Sequence, residues 1–236
     1  MTTASSTDPE ATLAEVHHLR QRFRERAHGG AWLPALAIAA LLLASMALYR
    51  YPFTDPNVME AAYPFWAGLP DEQRDPIASY VFWFVGTPLM FGAIAGWYRW
   101  RARRMGIRIA WQPVVYVGLG VLILLSVLAA VPRRLPDNPN LIGVVDEPPL
   151  WVQITSPLTP LLLIAVATVA LGWVERSRAL VVSGVWIAAL TVWLSSKFPM
   201  GAVPGGNLSL RPGHYLIIMA LPLLIFGVAR LARSGK

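Results

Sequence analysis

Cysteine is missing altogether from this 236-residue chain. Its absence excludes disulfides, thiolate nucleophiles and cysteine-ligated metals, and it is silent about compartment. Charge is scarce as well. Asp, Glu, Lys and Arg make up 14% of the residues, against about 25% in an ordinary soluble domain. The charges that exist interrupt long apolar runs, and 56% of the chain is hydrophobic. A polytopic membrane protein is the expected class. Histidine is limited to four residues. His17 and His18 are adjacent and point to different helix faces, while His28 and His214 fall at opposite membrane interfaces. No metal site and no cofactor is expected. HExxH, the Walker lysine motif and GxSxG are also absent, and with them the zinc-protease, nucleotide-hydrolase and serine-hydrolase signatures.

What is present centres on Val81–Met105. An uncharged apolar run with Gly86, Thr87 and Pro88 inside it leads to Trp97-Tyr98, and then to Arg99, Arg101, Arg103 and Arg104. Arginines are costly in hydrocarbon and favourable beside anionic head groups on the cytoplasmic side. With Arg108 they mark an inner loop, fix the topology, and are placed among lipid head groups. The net charge of +7 is explained by such basic clusters at span ends, so no nucleic-acid partner is expected.

The hydropathy pattern divides the chain into residues 1–30, a cytoplasmic segment, and 31–236, a membrane domain. In the first, Leu13, Val16, Leu19, Phe23 and Ala27 form one apolar stripe beside Arg20, Arg22, Arg24 and Arg26. That spacing predicts an interfacial amphipathic helix over Ala11–Ala27. No small-residue cleavage site closely follows the first span, so this span is expected to remain as an anchor. The six spans are placed at 32–49, 80–98, 111–131, 157–174, 179–194 and 214–229. Pro88 should kink the second and Pro222 should interrupt the sixth. Gly92 and Gly96, four apart on the second, form a small-xxx-small pair that favours helix packing.

Six spans put both termini on one side. The inner segments then carry fourteen basic and five acidic residues, the outer ones six and eight. The positive-inside bias therefore predicts N-in, C-in insertion in the cell membrane. Outer segments are expected at Arg50–Ser79, Arg133–Ser156 and Ser195–Gly213. The first contains an aromatic tract, Ala61–Trp66, too short to span. The second contains an apolar piece, Leu141–Val145, and the third a mobile Gly205-Gly206.

No ionisable residue falls inside a proposed span away from its ends, which counts against a buried carboxylate relay. Ser156 or the pair Ser195-Ser196 could be nucleophiles, with His214 as the base and Asp146 or Glu147 orienting it. Nothing in their spacing requires this. The outer acids Asp71, Glu72, Asp75, Asp146 and Glu147 read best as a solvated face.

The basic N-terminal helix, the Tyr98-Arg99-Trp100-Arg101-Ala102-Arg103-Arg104 junction and the Val174-Glu175-Arg176-Ser177-Arg178-Ala179-Leu180 turn resemble small multi-pass membrane proteins of high-GC Gram-positive bacteria. Those motifs are topogenic, so the resemblance implies no active site. The order of an interfacial helix and six spans is also similar to permease subunits of ABC-2-type exporters. That similarity implies a separate ATPase touching Arg99–Ala110, although this inner loop has no evident coupling helix. The leading expectation is a non-catalytic membrane subunit or scaffold of a larger complex, in contact with membrane lipids and with other subunits or a homodimer partner. An exporter permease is the first alternative, and a membrane enzyme acting at the outer face is the second.

Overall fold

The computed structural model describes residues 31–54, 68–69, 73–104, 106, 111–130, 158–197 and 210–234. The amphipathic helix expected at Ala11–Ala27, the Ala61–Trp66 tract, Arg108, the Arg133–Ser156 loop and Gly205-Gly206 lie outside them. The described residues are all-α. Six helices follow in order: α1 Trp32–Ala44, prolonged by a 3-10 turn at Ser45–Leu48, then α2 Pro76–Arg104, α3 Trp111–Ala130, α4 Pro160–Val174, α5 Arg178–Lys197 and α6 Pro212–Ser234. Each coincides with one apolar run of the sequence. Three segments are long and apolar enough to cross a membrane: Pro76–Arg104, Arg178–Ser195 and Pro212–Ala232. Trp32–Leu48, Gly118–Val127 and Pro160–Val174 are shorter apolar helices. A multi-pass helical membrane protein follows from these lengths.

Local chemistry explains the ends. Asp75 caps α2, its Oδ1 accepting the Ile77 N–H at 2.8 Å. Pro160 and Pro212 occupy first helical positions, where the missing N–H is not needed. α4 closes in a Schellman motif. The Ser177 N–H donates to Gly172 O at 2.8 Å and the Arg176 N–H to Trp173 O at 3.1 Å. Arg176 takes the left-handed position, φ 52°, that glycine usually fills.

The helices close into a ring. Each packs on its neighbours in sequence, α1 also packs on α6, and α1 meets α4 across the middle. The core threads through Ile38, Leu42, Trp83, Leu161, Ile164, Leu180, Ile187, Leu216, Met219 and Leu223. The closest approach is between α4 and α5. A Cβ on Gly172 would stand 2.6 Å from the Val181 backbone N, and one on Gly184 would stand 2.8 Å from the Val169 N and 2.9 Å from Ala165 O. Each helix therefore offers the other a notch.

α2 and α6 run through Pro88 and Pro222. For α6 this departs from the expected interruption, and the reason is visible. Proline at 222 removes the N–H that would bond Ile218 O. The Trp186 indole N–H on α5 donates to that same carbonyl at 3.2 Å. A neighbouring helix thus supplies the missing donor, as membrane helices require.

Candidate functional site

The side where α1 and α5 end and α2, α4 and α6 begin is tied together by hydrogen bonds. Tyr49 and Gln73 form an isolated antiparallel bridge, and the Arg74 N–H donates to Leu48 O at 2.8 Å. The Leu69 N–H donates to the buried Tyr49 hydroxyl at 2.7 Å. The Gly213 N–H donates to Pro52 O at 2.9 Å, and Phe53 packs edge-on against His214 at 5.2 Å. These contacts draw both sides of the 55–67 segment and the start of α6 onto the end of α1. Replacing Tyr49 with Phe keeps the ring and removes the acceptor of the buried Leu69 N–H. The expected loss is about 1–2 kcal/mol, read from thermal unfolding in detergent; an unchanged midpoint would show that the clip carries no load.

Polar groups are also buried within the ring. Some hydroxyls satisfy themselves on their own helix: Thr168 bonds Ile164 O, Ser183 bonds Ala179 O and Thr191 bonds Ile187 O. Others do not: the indole Nε1 of Trp83 and the hydroxyls of Thr87, Thr159 and Ser195 are buried with no hydrogen-bond partner among the described residues. Trp83 and Thr87 lie one turn apart on the buried face of α2, 0% and 3% exposed. Arg74 on Leu48 and Gly86 on Leu41 bracket Trp83 beside the end of α1. The antiparallel register of α4 and α5 carries Ser195 to the level of Thr159. Ser195 is not hydrogen-bonded to His214, whose Nδ1 instead accepts the Arg211 N–H at 3.1 Å. For Ser195 the Ser–His pairing considered from the sequence is therefore not assembled here. Ser156, Asp146, Glu147, Asp71 and Glu72 lie outside the described residues.

The opposite end is cationic and aromatic. Arg99, Arg103 and Arg104 are exposed, and Arg101 is half-buried. Trp32 of α1 meets Trp97 of α2 edge-on at 5.2 Å, Trp97 stacks on Trp100 at 5.0 Å, and the Arg104 guanidinium lies 3.9 Å over the Trp100 ring. Glu175 departs from a solvated turn residue. It is 8% exposed, and Tyr98 lies within electrostatic reach of it and of Arg101. Its position in a charged Glu-Arg-Ser-Arg turn gave no hint of burial; the signal available was Tyr98, the one phenol at the arginine junction.

Gly92 and Gly96 are placed differently from the packing expectation. Both are exposed, and a Cβ at either would meet nothing within 4 Å. Gly92 follows Trp83, and Gly96 follows Thr87, by nine residues, which is about 900° of helix and so the opposite face. Burying the Trp83–Thr87 face turns the glycine pair outward. Among the described residues no helix packs on it.

No family model, curated protein or solved structure matches this chain. Among the described residues no group of three or more His, Cys, Asp or Glu could hold a metal ion.

Proposed function

We propose that the chain is a non-catalytic integral membrane subunit, crossing the bilayer six times with both termini on the cytoplasmic side and α2 directed at a partner. One observation carries the reading. Within α2 only 17% of the membrane-crossing window is buried inside the chain, against 39% for α5 and 33% for α6. The face left uncovered holds Gly92 and Gly96 with open space around them. In lipid, helix association is driven by close packing rather than by the hydrophobic effect, and small residues permit that approach. The arginines after Trp97 support the orientation through the positive-inside bias.

The lack of native cysteine makes the test clean. Gly92→Cys or Gly96→Cys gives the chain a single thiol. Photocrosslinking through a benzophenone maleimide attached to that thiol, in native membranes, should trap a chain at either position. Val182→Cys, exposed on α5 and away from the glycine face, should crosslink less. Mass spectrometry of the adduct then identifies the partner. A second copy means a homodimer. A membrane protein that also brings down an ATPase means an exporter permease. No adduct at either glycine would reject a partner on this face.

A further inference from the structure

We propose that the ladder Trp32–Trp97–Trp100–Arg104 is a head-group site for an anionic phospholipid. The inference rests on the chain lying in a membrane and is independent of the subunit reading. The ladder crosses from α1 to α2 through ring contacts of 5.2 Å and 5.0 Å and ends with the Arg104 guanidinium 3.9 Å over Trp100. Tryptophan prefers the level of lipid head groups, where an apolar body and a polar edge are both accommodated. A guanidinium that stacks on an indole keeps its N–H edge free, and that edge engages phosphate oxygens.

Three further observations favour an anionic occupant. Trp100 is 45% exposed, and Arg103 and Arg104 are exposed beside it. Among the described residues Glu175 is the one carboxylate at this end, and it is buried. On the far side of α1, Arg230 lies 5.6 Å over Phe226 of α6, next to the Gly227 that abuts Trp32 O. The cationic surface therefore continues around the ring, with the aromatic ladder as its built part. A phospholipid fits both features, its phosphate on Arg104 and its glycerol and upper chains along the exposed indole.

The test uses the full chain in a neutral detergent, by native mass spectrometry and thermal unfolding. It is titrated with dioleoyl phosphatidylglycerol, dioleoyl phosphatidylcholine or soluble glycerol 3-phosphate. Phosphatidylglycerol should stay bound and raise the unfolding midpoint, while the other two should not. Arg104→Gln and Trp100→Ala should each weaken phosphatidylglycerol binding about fivefold, and Trp100→Phe should keep most of it. Arg74→Gln, at the other end of α2, should bind as the parent does. Equal retention of phosphatidylcholine would overturn the proposal, as would wild-type binding by Arg104→Gln. Equal stabilisation by glycerol 3-phosphate would assign the site to free phosphate and overturn the lipid. A matching loss in Arg74→Gln would reduce the effect to net charge and overturn the site. Arg104→Gln, an exposed change, keeps the test decisive if Trp100→Ala does not fold.

Discussion

Replacing Trp186 with phenylalanine should destabilise the chain, and most of that loss should vanish when Pro222 is alanine. In the parent, Ile218 O has lost its helical donor to Pro222 and is bonded by the Trp186 indole at 3.2 Å. Trp186 is 42% exposed on the ring's outer surface. In water such a carbonyl would find solvent; in hydrocarbon it has none, so the unmade bond carries a cost of about 1–2 kcal/mol. Alanine at 222 restores an N–H for Ile218 O, and the indole is then dispensable. The packing lost from indole to phenyl is common to both backgrounds and cancels in the double-mutant cycle. The coupling energy should be about 1 kcal/mol. Unfolding in a mild detergent or bicelle measures all four chains. A coupling near zero would mean that the indole–carbonyl bond contributes nothing in lipid.

The largest single effect should come from the α4–α5 notches. At Gly184 a leucine would drive its Cβ into the Val169 N and Ala165 O, and at Gly172 into the Val181 N. These are backbone atoms and cannot rotate aside as a side chain could. The hairpin must open, and α5 would lose its seat against Leu161, Ile164 and Ala165. The expected loss is about 3 kcal/mol or more, the upper range for overpacking. Gly92→Leu is the control. Its new Cβ would meet nothing within 4 Å among the described residues, so the purified monomer should change by about 0.5 kcal/mol or less. Detergent thermal unfolding of both variants decides the matter. Equal damage at Gly92 and Gly184 would contradict the placement of α2's faces.

The comparison of these glycines shows what was legible in the sequence. Helix positions were, because apolar runs bounded by Arg, Pro and Trp need only length and hydropathy to read. The starts at Trp32 and Trp111 follow from the same signals, whereas the fourth helix begins at Pro160, later than the expected 157. Partnership was not. A Gly-xxx-Gly spacing marks a smooth stripe on one helix without stating which way it faces. The notches at Gly172 and Gly184 belong to two helices and have no common spacing. They could have been found by folding the chain back at the Glu175–Ser177 turn and reading across the hairpin. The buried polar groups were hidden for a related reason. Trp83, Thr87, Thr159 and Ser195 are ordinary residues for a span, and only the burial of all four distinguishes them. Glu175 was read by its neighbours in sequence, whereas Tyr98 of α2 lies beside it in space.

The closure of the ring by α1 on α6 has a consequence for how the chain is made. Synthesis proceeds from the N-terminus, so α1 enters the membrane well before its chief partner, α6. Until α6 arrives, the face of α1 carrying Ala35, Ile38, Ala39 and Leu42 has only α2 and later α4 to cover it. Leu36 and the Trp32 carbonyl have nothing to fit until Gly227 is inserted. Long-range closure of this kind is slow and leaves partly built chains open to wrong pairings. A ribosome stalled before Pro212 would therefore hold an open arc of helices, with its first member waiting for the insertion machinery or a chaperone to shield it.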